Sequence, residues 1–198
     1  MMHEIADFII NFVGDIGYIG IVALMALESS FFPFPSEVVM IPAGYLSAKG
    51  EMNIYIVVFM GILGSLLGGL LNYFLAFHFG EKFLLKFGKY FFFKEKHLNK
   101  LKIFFSNHGE ISTFNGRLIP GLRQYISFPA GLAKMNIYRF SFFTSLGAGI
   151  WMIVLVLLGY FLGGNEALIK ENLKTISLIT IGLVILLSII YIMIKKRN

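Results

Sequence analysis

F-N-G-R-L-I-P-G-L-R-Q-Y-I-S-F-P-A-G, Phe114 to Gly131, sets two arginines, Arg117 and Arg123, among prolines and glycines in a chain that otherwise reads as membrane. An ionised guanidinium at bilayer depth costs roughly 2.5–3.5 kcal/mol or more unless it faces protein, water or a counter-charge. The stretch consists of two short apolar halves broken by proline, at Pro120 and Pro129, and neither half is long enough to cross a bilayer. What these arginines bind is therefore the question the rest of the chain has to answer.

Outward from this stretch, apolar windows recur along the whole length. Of 198 residues 57% are hydrophobic and 14% charged, with mean hydropathy +0.78, which fits one all-α integral membrane domain over residues 1–198. The start M-M-H-E-I-A-D lacks a cationic n-region, so a removable signal peptide is not expected. The absence of cysteine excludes disulfides, thiolate chemistry and Cys-ligated metals. The formal charge of +6 comes from basic residues flanking apolar segments, without a nucleic-acid motif. Membrane topology and anionic lipid explain that charge better than nucleic acid does.

Taken in order, residues 4–14 place Ile5, Phe8, Ile9 and Phe12 on one helical face and predict a short interfacial helix. The apolar run from Ile16 lasts to Leu27, meets E-S-S-F-F-P-F-P-S-E (Glu28 to Glu37), and resumes to Gly44. Pro33 and Pro35 break it, so residues 16–48 are expected to form a re-entrant hairpin. Asn53 to Phe79 predicts a full crossing with a Gly/Ser packing face and one strongly polar interior residue, Asn72. Residues 81–108 alternate lysines with phenylalanine and leucine, as helices lying on a membrane surface do. The opening stretch follows as a second hairpin, then a crossing from Asn136 to Leu162, and a last span at 175–194 stopped by Lys195-Lys-Arg.

The two hairpins belong to an internal repeat, about 16–80 and 110–163. Pro33 stands nine residues before Pro-Ala-Gly at 42–44, and Pro120 nine before Pro-Ala-Gly at 129–131. M-N-I-Y occurs at 52–55 and again at 135–138, each followed by glycines at offsets 12 and 28 from its Met. If each hairpin enters and leaves by one face, the single crossing between them makes the repeats inverted. Inverted repeats with discontinuous helices are a recurring transporter plan whose site lies at the midplane. This topology puts twelve Lys or Arg on the side holding residues 81–108, the 134–139 turn and the C-terminus, against three on the other. The C-terminus is therefore expected to be cytoplasmic.

In that arrangement Glu28 and Glu37 from one hairpin converge on Arg117 and Arg123 from the other. The guanidinium fork suits phosphate, and burial raises the pKa of a carboxylate towards neutrality. A mechanism follows in which phosphate displaces carboxylate from arginine and protonation of Glu28 or Glu37 balances the charge. The alternative is that the four residues form two buried ion pairs that merely clamp the hairpins, although such pairs are poor net stabilisers. Lys134, Arg139, Glu51 and Glu81 fall at helix ends and read as interfacial anchors. His3, His78, His97 and His108 show no metal-ligand or catalytic spacing, so no metal or other cofactor is expected.

At these residues the chain resembles the DedA family, also called SNARE-associated or VTT-domain membrane proteins, over roughly residues 10–165. The most specific piece is G-R-L-I-P-G-L-R, Gly116 to Arg123, followed by Ala130-Gly131; E-S-S-F-F-P-F-P-S-E fits the companion pattern of two acids around a proline-rich bend. The resemblance implies facing re-entrant hairpins and lipid transport between leaflets of the bacterial inner membrane, of undecaprenyl phosphate or a phospholipid such as phosphatidylethanolamine, with proton dependence proposed. It carries functional roles to Glu28, Glu37, Arg117 and Arg123. Undecaprenyl phosphate is the leading substrate, and homo-oligomers are compatible with the pattern. A lipid-phosphate enzyme and an ion-coupled small-solute transporter stand as alternatives; the enzyme would need a nucleophile and a general acid or base beside the arginines.

Overall fold

The computed structural model describes residues 2–30, 35–81, 95–119 and 121–162, together with Thr175, Ile179, Gly182 and Leu186. Within them lie α1 (Met2–Glu28), α2 (Glu37–Ala48), α3 (Ile54–Leu75), α4 (Glu95–Leu118), α5 (Ser127–Leu132) and α6 (Ile137–Leu162), and α3 runs on into a π turn, Ala76–Gly80. No strand occurs among the described residues. The span expected at 175–194 is described only at those four positions, all helical. The basic face of 82–90 and the run Phe91-Phe-Phe93 lie outside the described residues.

Both copies of M-N-I-Y have the same local task, which is to start a long helix. The Asn53 side chain accepts from the amides of Tyr55 and Ile56, and that of Asn136 from Tyr138 and Arg139. Each asparagine thereby satisfies two of the amide donors that a helix start leaves open.

Among the described residues three helices are long and apolar enough to cross a membrane: Asn11–Glu28, Ile54–Gly80 and Ile137–Phe161. The last two coincide with the expected crossings. The first contains Gly17 at φ 56° and ψ −157°, outside helical geometry, which leaves a straight leg of only ~16 Å from Tyr18 to Glu28. The predicted boundary between an interfacial helix ending at residue 14 and an apolar run starting at 16 falls at this kink. A second boundary moves: α4 runs unbroken from Glu95 to Leu118. The described part of the basic segment, 95–108, and the first leg of the second helix pair, expected to part near residues 108–110, are thus one helix, because no proline or left-handed residue interrupts them.

The packing is reciprocal. α1 and α4 lie against α3 and α6 respectively, whereas α2 crosses to α6 and α5 crosses to α3. In the Pro-Ala-Gly segments, a Cβ on Gly44 would overlap the carbonyl of Val156, and one on Gly131 the carbonyl of Tyr73. Val156 and Tyr73 hold the same place counted from Met135 and Met52. Ile21, Met25, Met40 and Leu155 fill one core, while Tyr73, Phe105, Ala130 and Phe140 fill the other. The Tyr73 ring stacks on Phe140, and its hydroxyl donates to the Met135 carbonyl.

Candidate functional site

Helix ends and the turns between helices carry the charges. Glu28 closes α1, Glu37 opens α2, Arg117 sits one residue before the end of α4, and Arg123 lies in the turns between α4 and α5. These turns begin at Gly121, whose φ of 83° suits glycine.

All four predicted side chains come together. Arg123 Nε lies 2.9 Å from Glu28 Oε1, and its Nη2 lies 3.7 Å from Glu37 Oε2. The first contact is charge to charge without hydrogen-bond alignment, since Glu28 Oε1 accepts no hydrogen bond. Glu28 is 1% exposed, Arg117 3% and Arg123 8%, so at least three ionisable groups are removed from solvent. The Arg123 guanidinium also lies over the Trp151 ring, 5.7 Å from its centre.

Arg117 is held differently. Its Nη1 donates to Ser29 Oγ at 3.2 Å and its Nη2 to Ser127 Oγ at 2.8 Å, while its Nε has no partner. Ser29 Oγ in turn donates to Glu28 Oε2 at 3.0 Å, so one hydroxyl relays between Arg117 and the carboxylate. The room for Arg117 comes from Gly69, where a Cβ would overlap its Nη2. Asn72, fully buried on α3, donates to the carbonyls of Ser29 and Gln124, tying the end of α1 to the turn that carries Arg123. The cavity among Glu28, Ser29, Ser65, Arg117, Arg123 and Trp151 is about 10 Å³, room for about one water.

Ser29, Ser127 and Trp151 were not singled out from the sequence. Asn72 was noted only as a polar residue in an apolar span, which was the available signal. Of the predicted bends, Pro35 lies in non-helical chain just before α2, whereas Pro129 sits inside the first turn of α5, where a missing amide costs nothing, and does not bend the chain. Pro33 and Pro120 lie outside the described residues.

Long apolar helices around a cluster of two arginines and two acids, all buried but the half-buried Glu37, define an integral membrane protein with an enclosed polar site. Residues 34–161 match the VTT domain, and the chain belongs to the VTT-domain, or DedA, family. It is 39% identical to the uncharacterized membrane protein YkoX of Bacillus subtilis, over 92% of this chain and 81% of that protein. It is 34% identical to an alkaline phosphatase-like protein of Lactococcus lactis, covering 96% and 92% of the two chains. With undecaprenyl phosphate transporter A of Bacillus subtilis it shares 29% identity, over 100% and 98%. No solved structure matches the chain.

Proposed function

We propose that the chain is a lipid translocase that moves a lipid phosphate, with undecaprenyl phosphate as the leading substrate, between leaflets of the cytoplasmic membrane. The observation that carries this reading is Arg117: an enclosed guanidinium whose direct partners among the described residues are two serine hydroxyls and not a carboxylate. A buried cation without a contacting anion is an expensive arrangement unless an anion arrives in function. Phosphate offers that anion in a geometry the guanidinium fork matches. The relative named undecaprenyl phosphate transporter A supports this substrate class.

The working cycle proposed here has three parts. A phosphate reaches Arg117 and Arg123 from one leaflet, and since the closed cavity has room for only about one water, Glu28 and Glu37 must yield to it. A proton taken up by a displaced carboxylate balances the charge. The helix pairs α1/α2 and α4/α5 act as re-entrant hairpins of an inverted repeat, opening in alternation towards the two leaflets. The reciprocal docking of Gly44 and Gly131 and the short straight leg of α1 after Gly17 support that topology. The lysine and arginine imbalance puts the 134–139 turn and the C-terminus on the cytoplasmic side.

A lipid-phosphate phosphatase is the second reading, favoured by the contact of Ser29 Oγ with Glu28 Oε2 and by the phosphatase-like name of one relative. Glu28 would take the hydroxyl proton as Oγ attacked phosphorus and pass it to the departing lipid oxygen, and water would then hydrolyse the phosphoserine to release inorganic phosphate. Native mass spectrometry of copurified lipid tests the main reading. A bound polyprenyl or glycerolipid phosphate, reduced in amount but not abolished in Arg117→Met, supports it, and a neutral lipid bound equally by both proteins opposes it.

A further inference from the structure

Two cavities lie apart from the central cluster and share no lining residue with it. One, about 630 Å³, has Asp15, Tyr18, Leu46, Glu51 and Met52 in its wall. The other, about 510 Å³, has Phe105, Glu110, Ala133, Lys134, Met135 and Arg139. Both volumes are in the range of small-molecule sites. They occupy corresponding places in the two halves, because each sits at an M-N-I-Y turn, at Met52 or at Met135. Aligning the Pro-Ala-Gly segments also sets Phe105 against Tyr18 and Ala133 against Leu46.

Their charges are opposite. The charged groups in the first wall are two acids, Asp15 and Glu51. The second has two cations and one acid, and Glu110 is spent on Arg139 at 2.7 Å. Lys134 forms no ion pair among the described residues, and its ammonium lies 5.8 Å from the centre of the Phe77 ring. Its backbone is also unusual: φ is 55°, just past the end of α5, where the equivalent residue past α2 is Gly50 at φ 79°. A lysine kept in a left-handed position that glycine fills with less strain points to a task for its side chain.

We infer that the Lys134–Arg139 cavity is a loading site for the phosphate headgroup of a lipid in the leaflet faced by this turn, and that its acidic counterpart disfavours the same headgroup at the other end. This rests on the translocase reading and makes capture of an anionic headgroup easier from one leaflet than from the other.

The test uses the full chain in phosphatidylcholine nanodiscs, with farnesyl phosphate as probe and farnesol and inorganic phosphate as controls. Arg117→Met isolates the cavity from the central site and should retain binding. Combining Lys134→Gly with Arg139→Gln in that background should weaken binding at least tenfold, while Asp15→Asn with Glu51→Gln should not weaken it. Lys134→Gly relieves the turn, so loss of fold does not explain loss of binding; Lys134→Gly alone should weaken it severalfold. Binding within twofold of the Arg117→Met protein in the doubly neutralised variant overturns the inference. So does equal affinity for farnesol, and equal affinity for inorganic phosphate would make this a free-anion site. Leaflet exchange is measured separately: retained cavity binding without exchange in the wild type overturns the translocase reading alone.

Discussion

Arg123 reaches across from the turn before α5 to Glu28 at the end of α1, Nε to Oε1 at 2.9 Å, while Arg117 donates to the hydroxyls of Ser29 and Ser127 and, among the described residues, forms no ion pair. The two arginines therefore have different work. In the proposed cycle Arg123 leaves the acids that hold it, while Arg117 is held by groups that compete weakly for its charge.

Replacing Arg117 by Met removes an enclosed charge without stripping a contacting carboxylate of its partner. Thermal unfolding in detergent should show stability unchanged or raised, because an enclosed charge goes while the Glu28–Arg123 contact stays. Transport should be lost. Arg117→Lys should recover little of it, since an ammonium cannot span Ser29 and Ser127 with a planar fork.

Glu28→Ala should behave in the opposite way. It leaves Arg123 with the more distant Glu37, at 3.7 Å, as its remaining acid, an under-compensated charge that costs up to ~3–5 kcal/mol. A double-mutant cycle of Glu28→Ala with Arg123→Ala measures the coupling; a coupling below ~0.5 kcal/mol would show that the pair is not a unit.

Ser29→Ala separates transport from hydrolysis. As a translocase the protein loses one hydrogen bond to Arg117, worth ~1.5–3 kcal/mol when charged, and keeps measurable exchange. As a phosphatase it loses all turnover and the phosphoserine intermediate. Release of inorganic phosphate from a polyprenyl phosphate, abolished by Ser29→Ala, would move the assignment to the enzyme.

The reciprocal docking of the two Pro-Ala-Gly segments gives a paired prediction. Gly44→Ala pushes a methyl at the Val156 carbonyl and Gly131→Ala at the Tyr73 carbonyl, both rigid backbone. Each should cost ~1–3 kcal/mol, read as a lowered Tm, and the two losses should be similar. A loss at one site with tolerance at the other would contradict equivalent roles.

Much of this architecture is legible along the chain because it is written in short-range pattern. The crossings α3 and α6 follow from apolar length, and the four charges stand out because ionised groups are costly in such surroundings. Repeat spacing pairs Pro-Ala-Gly with M-N-I-Y, whose asparagines turn out to be helix caps. What was hidden depends on packing between distant segments. Ser29 serves Arg117 across 88 residues, and Asn72 serves carbonyls 43 and 52 residues away, so neither role has a local signature. The continuity of α4 was masked by a change of composition near residue 108, which alters the helix's surroundings and not its backbone. Pro129 was misleading because proline breaks a helix interior but is accommodated in a first turn.

The central claim is that Arg117 carries a lipid phosphate between leaflets. The direct measurement is leaflet exchange of a labelled polyprenyl phosphate in proteoliposomes, comparing wild type with Arg117→Met at matched folded protein. Exchange by the wild type, reduced at least a hundredfold in the folded Arg117→Met variant, is the predicted result. Exchange at the same rate in both, or none in the wild type, would contradict it.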